Sequence, residues 1–179
     1  MQLLSDRLAL VPACLDDSAE VLRYRELNRE HLAPWEPERT APYYTLAAVG
    51  QQLLQVTQQQ AGGTAQHFSL RLHGSADIVG QCSFTNIIRG AFQACHLGFS
   101  LGHAYQGKGL MREALQVAIA HMFEAQQLHR IMANYQPANF KSEKLLHSLG
   151  FEREGLARQY LNINGRWADH VLTSLINPA

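Results

Sequence analysis

The sequence predicts a mixed α/β fold built as one domain, and three observations predict it. Runs of alternating apolar residues recur between runs with helical spacing, in the order strand, helices, three strands, helix, strand, helix, two strands. Three of those strands follow one another across short connections, which makes them antiparallel neighbours. A glycine-rich strand-to-helix connection, Gln106-Gly107-Lys108-Gly109-Leu110-Met111, divides the second half. The chain has 179 residues, enough for one full core, and neither an internal repeat nor a long linker splits it, so residues 1–179 are read as one domain.

Taken in order, Arg7–Pro12 is an opening strand ended by proline. Asp16, Asp17 and Ser18 are N-cap candidates for a helix through about Leu27. Asn28 to Pro42 is irregular, since Pro34, Pro37 and Pro42 limit helix formation, and Pro34-Trp35-Glu36-Pro37 is a stiff tetrapeptide within it. Tyr44 to Gln60 is a long helix whose glutamines form a solvated face. Gln66–Leu72 alternates, His73 to Ala76 turns, and Ile78–Ile88 and Ala94–Leu101 are the next two strands. From Gly107 to about Gln126 the pattern is helical, with Met111, Leu115, Ala118, Ile119 and Met122 on one core-facing stripe. Arg130–Tyr135 is a short strand. Asn139 to Leu149 is a helix stopped by Gly150. Phe151–Leu161 and Trp167–Ile176 pair around Asn164-Gly165, a strong hairpin turn.

Bulk properties narrow the function classes. Lysine plus arginine equals aspartate plus glutamate, so the formal net charge is zero, which argues against nonspecific nucleic-acid binding through a basic field. No apolar run approaches the roughly 18 residues of a membrane span. The first seven residues lack the charged and apolar regions of a signal peptide, so a cytoplasmic location is expected. Cys14, Cys82 and Cys95 are odd in number and widely spaced, which suits a reducing compartment and suggests neither a disulfide framework nor a zinc site. The histidines show no metal-ligand spacing.

Glycines at 107 and 109 allow a tight turn and a close approach of backbone to ligand, and the helix behind them offers unpaired N–H groups. Together these suit a diphosphate. A P-loop would need Ser or Thr after Gly107-Lys108, but Gly109 stands there, so the metal-holding hydroxyl is missing. A dinucleotide fingerprint would need a third glycine where Arg112 stands. A third pattern, Q/R-x-x-G-x-G/A, is met by Gln106 and Gly109 and departed from only at Met111.

That third pattern belongs to the GNAT acyl-CoA N-acyltransferases, and the rest of the chain resembles them too. Gln106 to Ala114 is followed by Asn139-x-x-Ser142-x-x-Leu145-Leu146-x-x-x-Gly150-Phe151, which is similar to the RimJ/RimL-type ribosomal-protein N-acetyltransferases. Segments 28–37, 86–90, 129–135 and 165–173 resemble the RimJ branch, whose members acetylate the N-terminal alanine of a small-subunit ribosomal protein. The resemblance therefore covers nearly the whole chain.

The resemblance implies a largely antiparallel sheet whose strands at Ala94–Leu101 and Arg130–Tyr135 splay apart to admit the pantetheine arm of acetyl-CoA. Backbone groups of Phe99, Ser100 and Leu101 would hold that arm. The N–H groups from Gly107 through Lys108, Gly109, Leu110 and Met111 to Arg112, with Gln106 beside them, would hold the pyrophosphate without a metal. A neutral amine would then attack the thioester directly. Ser142 would hydrogen-bond the leaving thiolate, Asn139 would bind the pantetheine arm or orient the acceptor amine as well as cap its helix, and Tyr135 would line the acetyl pocket. His96 stands where many members of the family carry a glutamate base, and a histidine titrates in the useful range; a water chain or the amine's own equilibrium deprotonation are the other routes for the proton. Trp35, Glu36 and Asp169 are the candidates for acceptor binding, Glu36 by attracting an N-terminal ammonium.

Three readings are open on this sequence. The first is acetylation of a ribosomal protein's N-terminus, with ribosome association compatible, no membrane contact, and no sequence-specific nucleic-acid binding. The second is acetylation of a small amine such as a polyamine or an antibiotic, which the same fold and donor would serve. The third is a non-catalytic acetyl-CoA-binding module.

Overall fold

The alternating runs pair as the connections between them dictate. In the computed structural model, which describes residues 1–178, eight strands form one sheet in the order β1-β2-β3-β4-β5-β6-β8-β7. The strands are β1 (Leu3–Leu4), β2 (Leu8–Pro12), β3 (Gln66–Leu72), β4 (Ile78–Ile88), β5 (Ala94–Leu101), β6 (Arg130–Tyr135), β7 (Glu152–Ile163) and β8 (Arg166–Ile176). Every neighbouring pair is antiparallel except β5 and β6. The helices are α1 (Ser18–Leu27), α2 (Arg29–Leu32), α3 (Leu46–Ala61), α4 (Leu110–Glu124) and α5 (Phe140–Ser148).

Two apolar layers cover the sheet. Leu115, Ala118, Ile119 and Met122 of α4 pack with Leu10, Leu70, Phe84, Leu97 and Ile131 of the strands, as the helical spacing predicted. Val21 and Tyr24 of α1 meet Val49, Leu53 and Val56 of α3 in a second cluster. Successive side chains of β5 alternate between these layers, so Cys95 and Leu97 join the first while Gly98 and Ser100 face the second.

Most departures from the expected elements are at boundaries. The helix foreseen from Tyr44 starts at Leu46, because Ala41–Tyr44 form a short 3₁₀ turn and the Thr45 side chain accepts the N–H of Ala48 as the cap. Asn28 to Pro42 contains the four-residue α2 and a 3₁₀ turn at Ala33–Trp35 that the prolines do not forbid. The edge strand β1 is too short to show a period. Two glutamines of α3 are ties rather than only a solvated face. Gln60 donates to the Ala13 carbonyl at 3.0 Å and accepts the His67 N–H at 3.1 Å, and Gln52 accepts from Arg25.

One feature of the sheet positions the site. β5 and β6 pair only from Ala94–Arg130 to His96–Met132. Beyond that rung β5 stays with β4 as far as Leu101, and β6 stays with β8 as far as Tyr135, so a gap opens between the two parallel strands.

Candidate active site

The glycine loop leads from the end of β5 into α4 at the mouth of this gap. Gly107 and Gly109 have φ of 74° and 75°, a region that side chains disfavour. Gly109 occupies the N-cap of α4 in that left-handed conformation, and the first backbone bond back to it comes from Glu113. As a result the N–H groups from Gly107 to Arg112 have no hydrogen-bond partner among the described residues. A Cβ added to Gly107 would meet nothing within 4 Å, so the loop stands clear of the protein on that side. A row of free donors at a helix N-terminus with open space before it fits a diphosphate. Lys108 turns its ammonium to the Ala104 carbonyl at 2.9 Å and over the Tyr105 ring, leaving the backbone as the principal donor set.

Side chains from other elements brace this loop. Arg7 binds both carboxylate oxygens of Glu113 and donates to the Lys108 carbonyl at 3.0 Å. Lys141 at the start of α5 donates to Gln106 Oε1 at 2.7 Å, which turns the Gln106 amide nitrogen toward His31 Nε2 at 2.9 Å. His31 also lies 3.2 Å from the Leu101 carbonyl. The Ser100 hydroxyl meets the Tyr24 hydroxyl at 2.9 Å, and burial pushes the Tyr24 phenol well above its usual range, so it stays protonated. The far end of β5, the loop and the start of α5 are thus one hydrogen-bonded unit.

On the other side of the gap, β6 ends in Tyr135 and the chain turns into α5. Asn139 Oδ1 accepts the N–H of Ser142 at 3.1 Å, the N-cap bond the sequence suggested. The Ser142 hydroxyl has no hydrogen-bond partner among the described residues. Tyr135 is buried, and its hydroxyl donates to Glu143 at 3.3 Å rather than standing free, with its own pKa raised by burial and by that carboxylate. His96 occupies the last rung before the gap, and burial lowers its pKa, so the ring is neutral near pH 7. Its Nδ1 is buried without a partner.

A cavity of about 350 Å³ opens on the α1 and α3 face, reaching Gly98 and Ser100 of β5 at one end and His67 of β3 at the other. Glu36 lies on its wall, 3.6 Å from Arg39 Nε. Trp35, the residue before Glu36, is 38% exposed. The loop carrying both is pinned: the Pro34 carbonyl accepts from Gln136 at 3.2 Å and the Glu36 carbonyl accepts the Asn164 N–H at 2.9 Å. Asp169 is spent locally, accepting the N–H of Gln159 at a bulge of β7. Of the three acceptor candidates, the structure brings Glu36 to the cavity wall, leaves Trp35 outside its lining on the same loop, and leaves Asp169 on the β7–β8 hairpin.

A strand gap, a free-donor loop behind it and a polar cavity before it together suit a thioester donor and an amine acceptor. Residues 7–152 match the acetyltransferase (GNAT) domain family. The chain belongs to the GNAT acetyltransferase family. Within this family it is 43% identical to the [Ribosomal protein uS5]-alanine N-acetyltransferase of Escherichia coli K12, over 99% of this chain and 92% of that protein. It superposes with a TM-score of 0.95 on the ribosomal-protein-S5-alanine acetyltransferase of Vibrio fischeri, at 43% identity and covering 99% of this chain and 97% of that one. Mycobacterium smegmatis RimJ, solved with a CoA disulfide, gives a TM-score of 0.91 at 29% identity, covering 98% of this chain and 86% of that one. The GNAT chain is an acetyl-CoA-dependent N-acetyltransferase. Acetyl-CoA supplies the activated acetyl group; the N–H groups of residues 107–112 are unpaired among the described residues, and β5 runs on past its last rung with β6 at His96.

The braces of this GNAT site escape a reading by motif. Arg7, Tyr24, His31 and Lys141 act across sequence separations of 35 residues or more. His31 does fall within the segment that resembles the RimJ branch, which was the one available signal. Among the described residues no group of three or more His, Cys, Asp or Glu side chains is placed to hold a metal ion, and no helix is long and apolar enough to cross a membrane.

Proposed function

We propose that this enzyme acetylates the α-amine of a protein N-terminus, with the N-terminal alanine of a small-subunit ribosomal protein as its acceptor, in the cytoplasm and in association with the ribosome or its free proteins. The observation that carries the reading is the full-length likeness to the E. coli uS5-alanine acetyltransferase, which extends through the acceptor loop at Trp35 and Glu36 as well as the donor loop.

The residues divide the work as follows. Backbone donors of the 107–112 loop anchor the diphosphate, and Phe99, Ser100 and Leu101 offer their backbone to the pantetheine arm. Glu36, whose carboxylate lines the cavity, draws the terminal ammonium toward the gap. The amine loses its proton to His96, already neutral and buried without a partner at Nδ1, directly or through water. The Ser142 hydroxyl, free of other partners, donates to the departing sulfur.

Acetyl transfer from labelled acetyl-CoA to a panel of acceptors tests this, with mass spectrometry locating the label. The panel holds Ala- and Ser-starting ribosomal peptides, spermidine and an aminoglycoside. Label on the α-amine of the Ala-starting peptide is the expected result. Label confined to a small amine would overturn the acceptor assignment while leaving the donor chemistry intact.

A further inference from the structure

Gly98 is a glycine that the fold does not require. Gly80, on the neighbouring strand, has no room for a side chain, since a Cβ there would stand 2.8 Å from the Ser100 carbonyl oxygen. Gly107 and Gly109 hold left-handed φ values. Gly98 has neither reason. Its φ lies outside the left-handed region, and beyond its chain neighbours a Cβ would meet only Ser83 Oγ, at 3.5 Å, an ordinary van der Waals contact. It sits in a regular run of the ladder, between the rungs Phe84–Leu97 and Cys82–Phe99, so no bulge calls for it. Glycine inside a strand weakens it relative to alanine. Where the protein supplies no cause, close approach of a ligand is the physical reason that remains.

The place of Gly98 in the sheet decides which ligand. It is exposed and lies two residues past His96, where β5 parts from β6. Side chains alternate across a strand, so a Cβ at 98 would project on the same face as His96 and Ser100. That is the α1 and α3 side, where Gly98, Ser83 and Ser100 line one end of the cavity. A pantetheine arm held by the β5 backbone lies in the plane of the sheet, whereas a strand side chain stands roughly perpendicular to that plane. A methyl at 98 would therefore stand beside the arm rather than across its path. The molecule that comes down onto Gly98 from the cavity side is the acceptor.

We propose that the bare Cα of Gly98 is the seat of the acceptor's first residue, and that its missing Cβ sets how large that residue can be. The inference rests on the reading of the acceptor as a protein N-terminus. The methyl of an N-terminal alanine takes the space that a Cβ at 98 would fill, so a methyl on the enzyme and a methyl on the acceptor exclude each other. Gly98 then governs specificity through shape, with no chemical group of its own. The preference is also exchangeable: a methyl added to the enzyme is tolerated once it is removed from the acceptor.

Two peptides that differ only in a first residue of Ala or Gly, assayed by kcat/KM with the parent and with Gly98→Ala, test it. The Ala-to-Gly ratio should fall by about tenfold or more in the variant, because only the Ala-starting peptide brings a second methyl to the same space. Each ratio is measured within one protein and so is independent of how much of it folds. Titration with acetyl-CoA should give the parental dissociation constant, and Tm should equal or exceed the parental value, since alanine suits a strand interior better than glycine. An unchanged Ala-to-Gly ratio, whether both peptides keep their rates or both lose them, would overturn the inference while leaving N-terminal acetylation standing. Weakened acetyl-CoA binding at an unchanged ratio would also overturn it, by assigning the clearance to the donor. Acetylation of spermidine by the parent with no peptide modified would instead remove the acceptor reading and this inference with it.

Discussion

Asn139 Oδ1 accepts the backbone N–H of Ser142 at 3.1 Å, so the asparagine caps the helix whose first turn carries the serine. The two residues should then fail in different ways. Ser142→Ala keeps the cap and loses only the hydroxyl, so kcat should drop roughly 10- to 100-fold with Tm unchanged. Asn139→Ala removes the cap of α5 and should cost about 1 kcal/mol of stability as well as activity. Steady-state kinetics beside thermal melts separates the two; a Ser142→Ala enzyme with parental kcat would remove the serine from the reaction.

The left-handed glycines give a second prediction. A side chain at Gly107 meets no protein atom within 4 Å, so its penalty comes from the backbone conformation and from intrusion on the ligand space. Gly107→Ala should weaken acetyl-CoA binding by about tenfold, the equivalent of the 1–2 kcal/mol that alanine spends in this conformation. Gly107→Asn should recover part of it, since asparagine tolerates the left-handed region better. Gly109→Ala strains the N-cap of α4 and should lower Tm as well. Isothermal titration with acetyl-CoA, beside melts of each variant, would show whether loop geometry or loop charge governs donor binding.

The fold and the donor site were largely legible in the sequence because both depend on local signals. Helical spacing put Met111, Leu115, Ala118, Ile119 and Met122 on one stripe, and all five are buried. Asn164-Gly165 named its own turn, with φ of 46° and 76°. The loop from Gly107 to Arg112 was read as a row of free N–H donors, and the structure leaves that row unpaired.

The acceptor side was far less legible, for a physical reason. Its cavity is assembled from α1, α3, β3, β4 and β5, and no short segment carries more than a few of its groups. His67 reads as an ordinary strand residue and Gln52 as part of a solvated face, yet the first lines the cavity and the second anchors Arg25. Asp169 looked as free as Glu36 until the bulge at Gln159 claimed it.

The brace between Arg7 and Glu113 should make acetyl-CoA binding acid-sensitive. Partial burial alone would raise the Glu113 pKa, but hydrogen bonds from the Arg7 backbone, the Ser5 hydroxyl and the Arg7 guanidinium hold it below the usual carboxylate range. A carboxylate with a depressed folded pKa contributes its stability above the unfolded value of about 4.3 and loses it as pH falls through the folded one. Acetyl-CoA affinity should therefore hold from neutral pH down into the ordinary carboxylate range and fall only as pH drops below it. Glu113→Gln should show weakened affinity already at pH 7, with Arg7 no longer tied to the loop. An unchanged dissociation constant in that variant would show that the glycine loop holds its shape without the brace.

Histidine burial predicts a second, separate acid transition. His31, His67, His96 and His121 all have lowered pKa values, in each case led by burial. A group whose folded pKa lies below its unfolded value binds fewer protons when folded, so stability rises with pH through the unfolded value of about 6.5. It is lost as pH falls below that value, well before the carboxylates titrate. The parent enzyme should melt at a lower temperature at pH 5.5 than at pH 7.5. The double variant His67→Phe, His96→Gln should lose less over the same interval, because two of the four groups no longer take up protons on unfolding. The pH dependence of kcat gives His96 its own test. With peptide saturating, an acidic limb below about 6.5 in the parent should disappear in His96→Gln. A limb that persists unchanged in that variant would move proton acceptance from His96 to water, while the melting difference would still report the buried rings.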